Sequence, residues 1–338
     1  MKKNPFISYI VPCYNLQDYL PRCLESLSRQ EIRDNSQIEF ILVNDGATDN
    51  TPQLLGEYEK KEPRAVIINQ YNQGVSVARN NGLHKAQGEY VFFLDGDDYL
   101  TDNASQAIFD ICRDGKPDIV ITNAYRVIDG KFEDKIEWNN DANIEPGIYN
   151  PLDYAKRASR LPISFKAYRR DMLVKNKIFY DNDLQVGEVY TFFIHALTYA
   201  KSIAFSDLRI MNYVIRGTGV MQTANLQRDL SLLITMHKIN TYAESKMPVL
   251  IGLIAYKRSL FDIINIFSIV NYSRNSTFTP EIGAFLETIK KDKIYKDLLR
   301  FFIFKDNGLN TRTFFALLQL LPVSVSYRFL RLARKLSK

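Results

Sequence analysis

Cysteine and histidine are scarce in this 338-residue chain, three of each, and that scarcity removes several chemistries at the outset. Cys13, Cys23 and Cys112 form no C-x-x-C pair, and with His84, His195 and His237 scattered they make no zinc-ligand spacing. The thiols are expected to be reduced and structural. No run of about 18 or more uncharged apolar residues is present, so no membrane-spanning helix is expected. The opening Met1-Lys2-Lys3-Asn4-Pro5 leads straight into a strand-like segment instead of a signal-peptide core, and a cytosolic location is expected. Internal repeats and low-complexity segments are also missing.

What the chain does contain is ordinary in amount and uneven in placement. With 46% hydrophobic and 24% charged residues it can build one large domain or a core domain with an appendage. Its formal net charge is +6, and residues 301–338 account for it: Lys305, Arg312, Arg328, Arg331, Arg334, Lys335 and Lys338 stand against the single acid Asp306. The first 300 residues are therefore neutral overall. A nucleic-acid groove would need a basic face of its own, so no nucleic-acid partner is expected.

From Phe6 to about Ala124, short β-rich runs alternate with amphipathic stretches, the pattern of βαβ units on a mainly parallel sheet. The strands are expected at Ile7 to Val11, Glu39 to Val43, Ala65 to Asn69, Tyr90 to Leu94 and Asp118 to Thr122, with helices at Leu16 to Arg29, Thr51 to Lys61, Val75 to Ala86 and Asn103 to Arg113. A doubly wound, Rossmann-like α/β sheet follows from that alternation. Asp129-Gly130 reads as a hairpin turn, Trp138 to Tyr149 as a long loop, Ile163 to Tyr168 as a strand, and a helix opens near Glu188 and ends near Lys201. From about Thr223 the periodicity is helical, so a boundary is expected near residue 220, between a core domain (1–220) and a helical C-terminal region (221–338).

The chemistry gathers at expected strand ends. Tyr90-Val91-Phe92-Phe93-Leu94 is almost wholly apolar and stops abruptly in Asp95-Gly96-Asp97-Asp98, so three carboxylates emerge at the carboxyl end of a buried strand, where open α/β sheets bind ligands. Clustered carboxylates repel one another, and a hard cation such as Mg²⁺ or Mn²⁺, or a ribose hydroxyl, between them relieves the repulsion. The first strand runs into Pro12-Cys13-Tyr14-Asn15, whose aromatic can stack on a base or pack. At the end of the second strand, Asp45 can accept a hydrogen bond from a pyrimidine NH, and Asp49 is placed to cap the next helix. Gly74 lets the backbone turn into a third helix, one turn into which Arg79 can reach a phosphate or base.

Together these segments resemble the family 2 glycosyltransferases of the GT-A fold, bacterial surface-polysaccharide type. The resemblance rests on Ile10-Val11-Pro12-Cys13-Tyr14-Asn15, Asn44-Asp45-Gly46-Ala47-Thr48-Asp49, Gly74-Val75-Ser76-Val77-Ala78-Arg79-Asn80 and Phe93-Leu94-Asp95-Gly96-Asp97-Asp98, in the family's order and spacing over roughly the first 100 residues. It implies a nucleotide-diphospho-sugar donor, usually a uridine one, bound by residues including Pro12, Tyr14, Asp45, Gly74, Arg79 and Gly96. It implies further that Asp95 and Asp97 match the D-x-D element binding Mn²⁺ or Mg²⁺ against the diphosphate, with Asp98 the acid that commonly follows. The Q-x-x-R-W element of processive synthases is absent, which favours single addition over polymerisation.

Transfer also requires a base for the acceptor hydroxyl. The resembling enzymes carry Gly-Glu-Asp or similar at a helix start, and here the sequence is Gly187-Glu188-Val189. Val189 stands where the second acid, the one often assigned as base, is common. Either Glu188 takes the proton, or a nearby acid such as Asp183 does, or the chain is slow or inactive. Downstream, Met211 to Gly219 is similar to the family's Tyr-x-x-Arg strand and loop, which implies that Arg216 closes over the diphosphate.

In the tail, Val325, Phe329, Leu332 and Leu336 share one helical face and Arg328, Arg331, Lys335 and Lys338 another, after the apolar stretch Phe314 to Leu321. Such a basic amphipathic helix suits the anionic inner face of the cell membrane, which makes a lipid-linked saccharide the natural acceptor. Two other readings compete. One is a non-catalytic nucleotide-sugar-binding or scaffold protein at the membrane, motivated by Val189. The other takes Asp95 and Asp97 as nucleophile and acid of a haloacid-dehalogenase-like phosphatase, whose remaining elements are not convincing here.

Overall fold

The strand β1 (Ile7–Cys13) is buried at every position, as a strand covered on both faces must be. The computed structural model describes residues 4–33, 37–113, 115–138, 144–157, 165–184 and 187–216, together with Thr235, Lys238 and Lys291. The chain divides into two compact units, residues 1–183 with 188–219, and 184–187 with 220–338. The elements below belong to the first. The expected C-terminal helical region and basic tail lie outside the described residues, those three positions apart.

After β1 come α1 (Leu20–Ser28), β2 (Ile38–Asp45), α2 (Thr51–Lys61), β3 (Ala65–Gln70), α3 (Val75–Lys85) and β4 (Tyr90–Phe93). The short β5 (Tyr99–Leu100) and α4 (Ala104–Arg113) lead to β6 (Ile119–Ile128), β7 (Lys131–Trp138), β8 (Gly147–Tyr149), α5 (Pro151–Arg157), β9 (Lys166–Arg169), α6 (Arg170–Lys175), α7 (Glu188–Tyr199) and β10 (Ile203–Ile215). One sheet runs in the order β3-β2-β1-β4-β9-β6-β10-β5, with β7 on β6 and β8 on β10. Its first four strands are mutually parallel, joined by α1, α2 and α3. Beyond them β9 enters antiparallel between β4 and β6.

The βαβ half therefore matches its expected elements closely, and the deviations have local causes. Helix α1 starts at Leu20 rather than Leu16, because Pro21 has no N–H to bond Gln17 O and is tolerated only in the first turn of a helix. The Leu16 N–H donates to Thr51 Oγ1 (2.8 Å) and the Gln17 N–H to Asp49 (3.0 Å), which hold the post-β1 segment against the start of α2. Asp49 also accepts the Thr51 N–H (2.9 Å), but the N-cap of α2 is Asn50, so the expected cap is displaced by one residue. The hairpin turn is present, with Gly130 at φ +79° between β6 and β7. Two strands escaped notice, β5 and β8, the latter at the end of the stretch expected to be loop.

Pro12 sits in the sheet without leaving a donor missing from the ladder. Ile10 O, which points the same way as Pro12 N would, accepts from Leu94 N, the last ladder bond on that side. The proline thus faces the level at which β4 has ended. Tyr9, Phe40 and Phe92 pack on one face of the sheet beneath α1. On the other face Phe93 meets Tyr180 and Phe192, and Tyr180 stacks on Phe192 with ring centroids 4.1 Å apart and planes 9° from parallel. This aromatic cluster seats α7 beside the end of β4, and so brings Glu188, its first residue, to the strand end.

Candidate active site

Where β4 ends, the chain reverses in a tight turn closed by the Asp98 N–H donating to Asp95 O (2.9 Å). Gly96 packs closely there: a Cβ would lie 2.7 Å from Leu16 Cδ1 and 3.3 Å from Pro12 O, so a larger residue would have to push the leucine aside. The turn holds three carboxylates in three different settings. Asp95 is 42% exposed, whereas Asp97 and Asp98 are largely withdrawn from water. Burial and the neighbouring Asp95 charge raise the pKa of Asp97, against the pull of Arg216. Asp98 is raised well above the usual carboxylate range by burial and by Asp97 and Asp95. Its Oδ1 accepts the Val214 N–H (2.9 Å), which ties the turn to the end of β10 and leaves Arg216, two residues on, within 2.7 Å of Asp97.

The opposite side of the turn meets Arg79. Its Nη2 donates to Asp95 Oδ1 (2.6 Å) and its Nη1 to Glu188 Oε1 (3.0 Å), while the guanidinium lies 4.9 Å from the Tyr180 ring centroid. Burial alone would depress the arginine's pKa, but Asp95, Tyr180 and Glu188 raise it above its ordinary value, so the cation is permanent. Asn80, the next residue, donates to Tyr180 O and accepts the Tyr180 N–H, both at 2.8 Å. Its role as the latch that fixes the tyrosine under Arg79 was missed in the sequence, although it ends the quoted Gly74-to-Asn80 motif. Val189 follows Glu188 half-buried in the first turn of α7, and Asp183 is exposed, its N–H donating to Asp181.

Three adjacent strand ends complete the rim. Asp45 is buried and accepts from the Gln70 side chain (2.8 Å) and from the Gln73 and Gly74 N–H groups (2.8 and 2.9 Å). The carboxylate thus shapes the loop entering α3, at whose N-terminus Gly74 takes φ +90°. Tyr14, just past the end of β1, is exposed, as is Tyr71 past the end of β3. On the α1 side of the acidic turn a cavity of about 290 Å³ is lined by Asp18, Tyr19, Pro21, Arg22, Glu25, Asp97 and Val214.

Among the described residues no group of three or more His, Cys, Asp or Glu side chains is arranged to hold a metal alone. A divalent cation shared with a diphosphate does not need one, since Mg²⁺-type sites use one or two carboxylates plus substrate phosphates. Asp95 and Asp97 fit that requirement: each has one oxygen engaged by an arginine and a second oxygen besides, and their mutual repulsion favours a cation. Asp98 is occupied by Val214. No helix among the described residues is long and apolar enough to cross a membrane.

Comparison with known proteins identifies the family and the fold. The model of glycosyl transferase family 2 matches residues 8–176. The uncharacterized glycosyltransferase EpsJ of Bacillus subtilis is 30% identical over 207 residues, 60% of this chain and 59% of EpsJ. The minor teichoic acid biosynthesis protein GgaA of the same organism is 32% identical over 199 residues, 57% of this chain and 44% of GgaA. The chain thus spans 59% of the length of EpsJ and 44% of that of GgaA. The crystal structure of residues 1–349 of S. aureus TarS in complex with UDP superposes with a TM-score of 0.71 at 18% identity, covering 98% of this chain and 92% of that one, which establishes the GT-A fold. The phosphatase reading falls with these matches, for the strand end bearing Asp95, Asp97 and Asp98 lies inside the matched segment, and the chain belongs to glycosyl transferase family 2.

Proposed function

We propose that this glycosyltransferase moves a sugar from a uridine-diphosphate donor to a hydroxyl of a saccharide or lipid-linked saccharide, with inversion, during assembly of a bacterial surface glycan. The observation that carries the proposal is the Arg79 bridge, which sets the carboxylate of Glu188 one guanidinium away from Asp95 at the strand end. A single displacement needs a base for the incoming hydroxyl beside a site that holds the departing diphosphate, and this pairing supplies both. The uridine and the surface-glycan assignments draw on UDP in the TarS complex and on the teichoic acid relative.

In this reading Tyr14 and the Asp45 loop receive the base of the donor at the ends of β1 and β2. Mn²⁺ or Mg²⁺ held by Asp95 and Asp97 would supply Lewis-acid stabilisation of the leaving diphosphate. Arg216 adds a positive charge on the same side, where developing phosphate charge is felt most in a site that excludes water. Glu188 accepts the acceptor proton as the glycosidic bond forms, and Arg79 fixes the carboxylate's position. The basic tail, outside the described residues, would place the enzyme at the inner face of the membrane, where lipid-linked acceptors are found.

A panel of nucleotide sugars screened by thermal shift with and without Mn²⁺ tests the donor assignment, because a ligand that binds the native state raises its melting temperature. A uridine donor stabilising the protein more in Mn²⁺ is the expected result. Stabilisation by no nucleotide sugar would refute the proposal. Donor binding without hydrolysis or transfer to any acceptor would favour the non-catalytic alternative that Val189 raises.

A further inference from the structure

Arg216 is held from two sides, and only one of them belongs to the acidic turn. Its guanidinium reaches Asp97 Oδ2 at 2.7 Å and lies over the ring of Tyr19, 5.3 Å from the centroid. The hydroxyl of Tyr19 donates to Asp129 Oδ2 at 2.6 Å. Asp129 begins the β6–β7 hairpin turn, and its own N–H donates to Ile215 O, the residue before Arg216 (3.2 Å). Tyr19 immediately precedes α1 and lines the cavity beside Asp97. The contacts therefore run unbroken from a hairpin tip to a carboxylate of the acidic turn, through residues about 110 positions apart in the chain.

We propose that Tyr19 and Asp129 are positioning residues that set Arg216 across Asp97, so that the guanidinium competes with a divalent cation for that carboxylate and turns to the diphosphate when the donor arrives. The proposal rests on the reading of Asp95 and Asp97 as the diphosphate end of the donor site. Its physical basis is that one guanidinium cannot give its full charge to Asp97 and to a phosphate together, and the Tyr19 ring is the surface on which it is held between them. The Asp129 carboxylate draws on the Tyr19 hydroxyl and raises its pKa, and this keeps the phenol protonated and its ring fixed in orientation. Acceptance of a phenolic proton by a carboxylate is also among the stronger uncharged-donor bonds, consistent with the 2.6 Å distance.

The signature of such a device is a pair of affinity changes of opposite sign. Tyr19→Leu removes the platform, so Mn²⁺ alone should bind about threefold to tenfold more tightly, and UDP in chelator about threefold to tenfold more weakly. Tyr19→Phe keeps the ring and should lie between wild type and Tyr19→Leu on both scales. Asp129→Asn provides a second variant that leaves the ring in place and should shift both affinities in the same senses. Calorimetric titration of the full chain with Mn²⁺ and, separately, with UDP in EDTA reads all of these. A general loss of structure would weaken both ligands together, and that result, or no shift in either, would overturn the proposal. Wild-type protein that binds neither Mn²⁺ nor UDP would instead overturn the donor-site reading on which it rests.

Discussion

The guanidinium of Arg79 donates to Glu188 at 3.0 Å, across 109 residues of sequence, while its other terminal nitrogen holds Asp95. One buried cation thereby links the first residue of α7 to the end of β4. The carboxylate proposed as base and a carboxylate proposed for the leaving group thus share one guanidinium.

Glu188→Gln keeps the shape of the side chain and an oxygen for Arg79, but it cannot take a proton. In single-turnover transfer assays the rate should fall about 10²- to 10⁴-fold. Donor affinity should hardly change, because the loss is confined to the transition state. A rate equal to wild type would move the base to another acid, with Asp183 the next to test.

Arg79→Ala leaves two carboxylates facing each other without their cation. Leaving a buried charge uncompensated costs about 3–5 kcal/mol; Glu188 at 14% exposure is near that case, but Asp95 at 42% can be solvated, so the loss should fall at or below the lower end. A chemical-denaturation midpoint unchanged from wild type would show that the network is dispensable to the fold. Arg79→Lys should recover part of the stability but not the bidentate bridge.

Two helix glycines should respond oppositely to alanine. A Cβ on Gly82 would lie 2.3 Å from Ile10 Cγ2, where α3 crosses β1, whereas one on Gly56 in α2 meets nothing within 4 Å. Gly82→Ala should destabilise by about 1–3 kcal/mol through overpacking, and Gly56→Ala should stabilise by about 0.5–1 kcal/mol through helix propensity. Thermal melts of the two variants beside wild type separate these outcomes, and equal shifts would contradict the close approach of α3 to the sheet.

Lys166 offers a pH test. It is buried on β9 with its Nζ 4.7 Å from the Phe193 ring centroid, and burial pulls its pKa down to about 7 from 10.5. Between those two values the unfolded chain binds more protons at this site than the folded one, so stability should rise as pH increases from about 7 towards 10. Below the lower value both states carry the proton, and the full burden of the buried charge falls on the fold. Lys166→Met should therefore flatten the melting temperature against pH over that range and raise it at pH 6, by about 2–4 °C for each kcal/mol relieved. A slope identical to wild type would show that Lys166 does not titrate there.

Much of the fold and of this site was legible because its signals are local. An apolar run cut off by carboxylates marks a strand end, and alternating runs and amphipathic stretches gave β1 to β4 with α2 and α3 nearly to the residue. The illegible part depends on partners distant in sequence. The Leu16 and Gln17 N–H groups go to Thr51 and Asp49, 35 and 32 residues away, and no local pattern records those partners. The Arg79–Glu188 bridge and the Asp98–Val214 bond span more than 100 residues, and no periodicity encodes which carboxylate a guanidinium will meet. The antiparallel entry of β9 between β4 and β6 likewise follows from sheet assembly, since a four-residue strand carries no record of its neighbours.

If Asp95 and Asp97 hold the donor's diphosphate through a divalent cation, Asp97→Ala should abolish the effect of that cation on donor binding. Calorimetric titration of wild type and variant with UDP, each with and without Mn²⁺, should show Mn²⁺-dependent tightening in the wild type alone, with circular dichroism confirming that the variant is folded. Mn²⁺-dependent tightening of the same size in folded Asp97→Ala would contradict the account.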